Sequence, residues 1–392
     1  MNILQITKYF YPAVSFGGPV QTTYNLSKYL VNRGHKVVVY TTDALDISSN
    51  AQVKEKHQLV DGIEVYYFHN LAKFYGVFVS PSMIQALRKN VSNFDVVHLH
   101  EYRTFQNLAF YYLNKNRVPY ILSCHGEISY LRERAQSLDW LLLRNIFQRS
   151  FGKKLVNDAS KLFALSRYEE TQYLDAGVKP NKIAIVPNGV TPEDFSYVST
   201  RQGFRRSFGI DEEDVILYLG RINRYKGIDT LVKAFALLPK RKNGTKLVIA
   251  GPDDDFLGSL KTMVKELNLE DKVIFTGSLN RKQVLSAYSA ATVVVYASIQ
   301  EGFGLVPLEA GIMGKPVIVS DAPAMDFVKK GNFGLTVKSG SVSQLKEAIE
   351  KIMDNPELSK EFGKNGKKFV AETYSWDKVG KMVEDIYRDI SA

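Results

Sequence analysis

Short β-branched runs recur along the chain with amphipathic stretches between them. In the first half they read NILQIT, KVVVYT, VYYF, DVVHLH, PYILSC, KLFALS and KIAIVP; in the second, VILYLG, KLVIAG, KVIFTG, TVVVYA and PVIVSD. These runs are nearly continuous in apolar residues, a pattern that suits strands covered on both faces. Helical periodicity over 19–33, 228–238, 256–267, 281–290, 306–313 and 342–353 supplies the covering layers, and Gly34 follows the first of these as a C′ residue. SWDKVGKMVEDIYRDI reads as one more amphipathic helix at the end. Around 190–210 the sequence is polar and turn-forming with no sustained period, and a fresh strand starts at Val215. The pattern predicts an α/β chain of two doubly wound Rossmann-like domains, 1–195 and 205–374, followed by a helix at about 375–392. Two such domains facing each other across a cleft would place ligands outside the carboxyl ends of their strands.

Composition fits that architecture and narrows the partners. The 392 residues are 45% hydrophobic and 12% aromatic, and 51 basic against 41 acidic side chains give a net charge of +10. A basic surplus favours anionic partners: a nucleotide, a nucleic acid or acidic lipid. The basic residues are spread along the chain rather than gathered in one basic-aromatic module, which argues against nucleic acid. The single Cys124 excludes an intramolecular disulfide and suits a cytoplasmic location. No stretch of about 18 residues is apolar enough to span a bilayer, and MNILQITKYFYPAV reads as a first strand rather than a signal peptide. Residues 131–156 combine an apolar face with Arg132, Arg134, Arg144, Arg149, Lys153 and Lys154. That stretch reads either as a helix on the inner face of an anionic membrane or as one packed on the N-terminal sheet.

The chemistry-bearing residues stand just after strands. EGFGLVPLE follows TVVVYAS: Gly302 and Gly304 permit close backbone approach, and Pro307 suits a first helical turn. The amides of Phe303, Gly304, Leu305 and Val306 then become candidates for phosphate at a helix N-terminus. Glu309, flanked by apolar residues, needs donors such as paired sugar hydroxyls, and Glu301 at the mouth of the loop can accept from another. GRINRYKG puts Arg221 and Lys226 in one loop, a guanidinium fork and a mobile ammonium suited to a diphosphate. Gly17 and Gly18 precede Pro19 in a second glycine turn, and His125 ends the strand PYILSC ahead of a glycine. His98 and His100 share one face of their strand, with His98 reading as packing and His100 nearer the strand end. Asp253 to Asp255 read as a solvated turn. No G-x-G-x-x-G, no P-loop and no Cys/His cluster of zinc spacing occurs, so no metal site is expected.

In this order the motifs resemble the retaining glycosyltransferases of family 4, with the GT-B fold, over nearly the whole chain. The resemblance is carried by the E-x7-E pattern EGFGLVPLE, GRINRYKG, the N-terminal glycine pair, the HG after a strand, VPNGV, IAGPDDDFLGSLK and SWDKV. One departure lies at Ala322 to Asp326, where many members carry a glycine pair and a glutamate. The resemblance implies transfer of a sugar from a UDP- or GDP-sugar donor to an acceptor hydroxyl. Membrane contact through 131–156 would make that acceptor a glycan or lipid-linked sugar in cell-surface polysaccharide or glycan synthesis, and the missing metal-ligand spacing, with basic side chains in a cation's place, predicts no metal or other cofactor. By the resemblance, Glu309 would hold the donor ribose, and Glu301 with the following amides the donor sugar. Arg221 and Lys226 would hold the diphosphate, and His125 and Gly18 would come from the opposite domain. It also implies that the C-terminal helix returns to the first domain. A sugar-nucleotide epimerase or phosphorylase on the same fold, and a non-catalytic sugar-nucleotide-binding module, are the competing readings.

Overall fold

The computed structural model describes residues 1–13, 17–45, 51–74, 77–115, 117–126, 147–195, 201–211 and 213–392. The chain divides into two compact units, Met1–Gly189 together with Trp376–Ala392, and Val190–Ser375. The first crossing therefore falls at Gly189, ahead of the segment where the sequence places its boundary, and the last helix belongs to the first unit.

The first unit contains β1 (Asn2–Ile6), β2 (Lys36–Thr42), β3 (His57–Val60), β4 (Ile63–Phe68), β5 (Ala72–Phe74), β6 (Val77–Val79), β7 (Val96–His100), β8 (Tyr120–Ser123), β9 (Lys161–Ala164) and β10 (Ile183–Ile185). Eight of them form a sheet in the order β10-β9-β8-β7-β1-β2-β4-β3, parallel except for the edge strand β3. β5 and β6 pair as a separate hairpin. The connections run one way from β1 through β2 to β4 and the other way from β7 to β10, so the direction reverses between β1 and β7. The continuous apolar run in β2 has its reason here. Val37 and Val39 pack in one core cluster with Leu26 and Leu30 of the helix Gly18–Asn32, while Val38 and Tyr40 pack in a second cluster with Leu87 and Phe110.

The C-terminal helix Trp376–Ser391 buries Trp376, Val379, Gly380, Val383, Glu384 and Tyr387, a stripe of helical spacing, against the first unit. Each fully buried large apolar side chain of this kind contributes about 1.5–3 kcal/mol. Gly380 sets how closely the helix approaches, since a Cβ there would lie 2.4 Å from the Tyr29 ring.

The second unit holds one parallel sheet of β11 (Asp214–Leu219), β12 (Thr245–Ala250), β13 (Val273–Gly277), β14 (Val293–Tyr296), β15 (Val317–Ser320) and β16 (Gly334–Val337). Its order, β13-β12-β11-β14-β15-β16, is that of a dinucleotide-binding sheet, with the reversal between β11 and β14. The longest helix among the described residues, Pro356–Tyr374, is absent from the periodicity reading. Part of its buried face is glycine, which an apolar pattern does not count. Gly363 and Gly366 lie so close to Gly314 and Gly311 that a Cβ would stand 2.4 Å and 3.0 Å from their backbones. Helices Pro81–Asn90 and Phe105–Asn114 were likewise not read from the sequence.

Of the basic stretch 131–156, residues 131–146 lie outside the described residues. Its described end forms the helix Lys153–Asp158, where Leu155 and Val156 are buried in the core and Lys153 and Lys154 are exposed. Leu155 and Val156 thus serve packing rather than a membrane-facing surface. Among the described residues, no helix is long and apolar enough to cross a membrane.

Candidate active site

Ligands of doubly wound sheets bind beyond the strand ends where the strand order reverses. In the second unit the two loops at that point are those after β11 and β14, the loops carrying Arg221, Lys226 and Glu301. The β11 loop is pinned by its backbone. Gly251 adopts φ +148°, and a Cβ there would meet the Gly220 carbonyl at 1.9 Å. Gly227, at φ +66°, approaches Ala297 so closely that a Cβ would stand 2.2 Å from its carbonyl oxygen. The amide of Ile299 then donates to the Tyr225 carbonyl at 2.9 Å, joining the two loops.

This closure brings Lys226 Nζ to 2.6 Å from Glu301 Oε2 and 3.0 Å from the Tyr296 hydroxyl, and Tyr296 donates to the same Glu301 oxygen at 2.6 Å. The two charged side chains are each only 11% exposed. Removing one partner of so buried a pair would leave an uncompensated charge, and such pairs are weak devices for stability alone. Arg221 is half-exposed and reaches Asp254 at 3.4 Å, while Asn223 donates to the same carboxylate at 2.9 Å. The acidic turn is therefore structured. Asp253 accepts from the amides of Phe256 and Leu257, which hold its carboxyl below the usual range, and Asp254 steadies Arg221.

After β14 the chain enters the helix Leu305–Ile312, with Gly304 as N-cap and no side-chain cap. The amides of Leu305 and Val306 have no acceptor within the helix, as at every helix start. Phe303 turns its ring inward, stacked on Phe327 at 5.3 Å, so only its backbone is available at the loop. Gly304 packs closely on the end of the Met325 side chain, which would have to shift to admit a Cβ, 2.7 Å away. Gly302 stands between Glu301 and this turn. Glu309 is held at both oxygens, by Arg281 Nη1 at 2.7 Å and by the Tyr288 hydroxyl at 2.9 Å. Burial, and next the Glu309 charge, push the Tyr288 phenol well above its ordinary range, so it stays a donor. Arg281 also lies over the Phe195 ring at 4.5 Å.

In the first unit, Gly17 at φ +83° starts the helix Gly18–Asn32, and Thr22 on that helix donates to Asn188 of the VPNGV segment at 2.9 Å. His125 follows β8 in the left-handed region, φ +51°, with its Nε2 3.0 Å from His100 Nδ1. Gly126 donates to Glu169 at 2.8 Å, and burial raises that carboxyl to about 6. Beyond β1 and β7, at this sheet's own reversal, Lys8 and Glu101 form a buried ion pair at 3.2 Å, with Glu101 at φ +65°.

Of the residues singled out in the sequence, the structure brings Lys226 and Glu301 into contact, with Arg221 in the same loop as Lys226 and Glu309 on the helix that follows; Tyr296, Arg281, Tyr288 and the Lys8–Glu101 pair carry no such signal, and Asp254 reads only as a solvated turn. The fourth residue of VVVY at a strand end was the one visible sign of Tyr296. Among the described residues, no group of three or more His, Cys, Asp and Glu side chains is placed to hold a metal ion.

The known proteins to which the chain is similar are glycosyltransferases. Residues 16–194 match the family model Glycosyltransferase Family 4, and residues 200–369 match Glycosyl transferases group 1. An uncharacterized glycosyltransferase of Methanocaldococcus jannaschii is 27% identical over 99% of this chain and 98% of its own. Sucrose-phosphate synthase from Thermosynechococcus elongatus superposes with a TM-score of 0.79 at 22% identity, over 99% of each chain. Anabaena HepE in complex with UDP and glucose gives 0.78 at 19% identity, over 98% of this chain and 99% of its own. With one model on each half, the chain belongs to the family 4, group 1 glycosyltransferases, enzymes of the GT-B fold built from two Rossmann-like domains.

Proposed function

We propose that the chain is a retaining glycosyltransferase that moves a sugar from a UDP- or GDP-sugar to a hydroxyl of a glycan or lipid-linked acceptor, in cell-surface polysaccharide or glycan synthesis. The observation that carries this reading is the buried Lys226–Tyr296–Glu301 cluster, with Arg221 beside it, at the reversal point of the second unit's sheet. HepE, of like fold, has been captured with UDP, with UDP and glucose, and with UDP-glucose, which supports a nucleotide-sugar donor here.

The leaving group is a nucleoside diphosphate, already stable as an anion, so the chemistry needs charge neutralisation more than acid catalysis. Lys226 and Arg221 supply fixed positive charge, and the amides of Leu305 and Val306 supply oriented dipoles. Glu309 takes the ribose hydroxyls. Glu301 takes the donor sugar together with the backbone of Gly302, Phe303 and Gly304. Glu301 Oε2 already accepts from Lys226 and Tyr296. Two donors lower its nucleophilicity, which favours a positioning role over a covalent glycosyl-enzyme. Retention then follows a front-face path in which the departing phosphate takes the acceptor's proton. The first unit is assigned the acceptor, with His125 and the Gly17–Gly18 turn as its candidate groups.

Because lysine and arginine do the neutralising, no divalent cation is needed. Screening UDP- and GDP-sugars for release of the nucleotide, with excess EDTA throughout, tests the reading. We expect at least one donor to be turned over at an unchanged rate in EDTA. Activity that disappears and returns only with magnesium or manganese would overturn metal independence.

A further inference from the structure

The first unit contains a buried polar chain that the reaction as derived does not use. Gln5 on β1, His98 and His100 on β7, Ser123 on β8 and Tyr387 on the C-terminal helix are all buried. The Tyr387 hydroxyl lies 2.6 Å from His98 Nδ1, and His98 Nε2 lies 2.7 Å from Ser123 Oγ. Gln5 Nε2 donates to the same phenol oxygen at 3.4 Å. Gln5 Oε1 stands 2.6 Å from His100 Nε2, and His100 Nδ1 stands 3.0 Å from His125 Nε2. The His100 and His125 rings lie within 15° of parallel with centroids 5.3 Å apart, edge to edge, so the contact between their nitrogens is in the ring planes. Five residues from four elements thus end on one ring that the sequence also singled out.

Hydrogen-bond accounting fixes the protons. A carboxamide oxygen has none to give, so His100 Nε2 carries the hydrogen of its bond to Gln5. Burial first, and then the neighbouring His98 and His125, hold His100 well below the ordinary imidazole range, so its ring is neutral. A neutral ring with hydrogen on Nε2 is bare at Nδ1. Two bare nitrogens would repel, so the hydrogen between the rings belongs to His125 Nε2.

We propose that His100 and Gln5 are positioning residues that hold His125 as the Nε2–H tautomer, leaving Nδ1 as its acceptor nitrogen, with Tyr387 of the C-terminal helix anchoring the chain. In this arrangement the Tyr387 hydroxyl takes the Gln5 Nε2 hydrogen, and its own hydrogen is assigned to His98 Nδ1, which opposes reversal of the Gln5 amide. The tautomer rests on this geometry together with the neutral state that burial gives the His100 ring; its importance for turnover rests on the reading of His125 given above.

Ring 15N NMR of the full chain labelled at histidine tests it, with His125 assigned by its loss in His125→Gln. The wild type is expected to show His125 protonated at Nε2 and bare at Nδ1 near pH 8. His100→Leu should abolish that preference, and His100→Asn, whose side-chain oxygen can still accept, should restore it. With the donor found by the screen above, His100→Leu should lower kcat by up to about 10²-fold, the scale of a misplaced reacting group, with UDP or GDP affinity unchanged and recovery in His100→Asn. A wild-type His125 protonated at Nδ1 would mean the Gln5 amide is reversed and would overturn the proposal. So would a His125 spectrum unaltered in a folded His100→Leu. Failure of every nucleotide sugar to react would count against the function reading, while the wild-type spectrum would still decide the tautomer.

Discussion

Glu301 and Glu309 occupy one loop and helix, yet different partners hold them. Glu301 accepts from Lys226 and Tyr296, and Glu309 from Arg281 and Tyr288. Their losses should therefore differ. Ribose contacts are the same in ground and transition states, so Glu309→Ala should weaken nucleotide binding by about 10–100-fold, the value of a hydrogen bond to a charged group. Glu301→Ala should leave nucleotide affinity within a few-fold and lower kcat instead. Calorimetric titration with UDP and GDP, beside turnover, separates the two; equal nucleotide affinity in wild type and Glu309→Ala would refute the ribose role. These carboxylates were legible because each sits in an apolar neighbourhood just past a strand, where a charge needs a reason. Their partners were not. Lys226 and Glu301 are 75 residues apart in the chain, and nothing local in VVVY announces that Tyr296 will bridge them.

Among the elements, the C-terminal helix has the clearest division between what its pattern shows and what it hides. Its apolar stripe was legible, but Glu384 lies within that stripe and looks like a defect. It is instead the helix's polar anchor, bonded to Arg388 at 2.7 Å, His35 at 3.1 Å and Arg33 at 3.3 Å. Burial alone would raise its carboxyl, but the bonds from Arg388, His35 and Arg33 outweigh burial and bring it down to about 2. A carboxyl depressed in the folded state binds fewer protons there than when unfolded. Its stabilising contribution is thus complete above the unfolded value near 4.5 and is lost as pH falls towards 2. Since Arg33 and Arg388 are more than half exposed, this amounts to about 1–3 kcal/mol rather than the full shift. Urea midpoints measured from pH 7 to pH 2.5 should fall less steeply for Glu384→Gln than for wild type. Parallel pH profiles would show that the anchor contributes nothing. The helix Pro356–Tyr374 escaped the pattern for a related reason, since Gly363 and Gly366 bury backbone where periodicity looks for side chains.

For the whole molecule, architecture was more legible than assembly. Twelve apolar runs suited to strands covered on both faces, broken once by polar sequence, were enough for two doubly wound halves. The short edge strand β3 lacks such a run because none of its side chains is fully buried, and in β6 only Phe78 is. The net charge of +10 belongs to the molecule rather than to any site, and each basic residue near an anionic surface adds about 1 kcal/mol of attraction. If the acceptor is lipid-linked, the full chain should float with vesicles containing anionic lipid at low salt and be released at high salt. Retention in the soluble fraction at low salt would favour a soluble acceptor.

The central claim is that the second unit's reversal point is where a nucleotide sugar reacts. Nucleotide release from the best UDP- or GDP-sugar, compared between wild type, Lys226→Ala and Arg221→Ala, tests it most directly. Loss of one preorganised donor to a developing anion costs about 10²–10³-fold in kcat, and that loss is expected in each folded variant. Turnover near the wild-type rate in both variants would contradict the account.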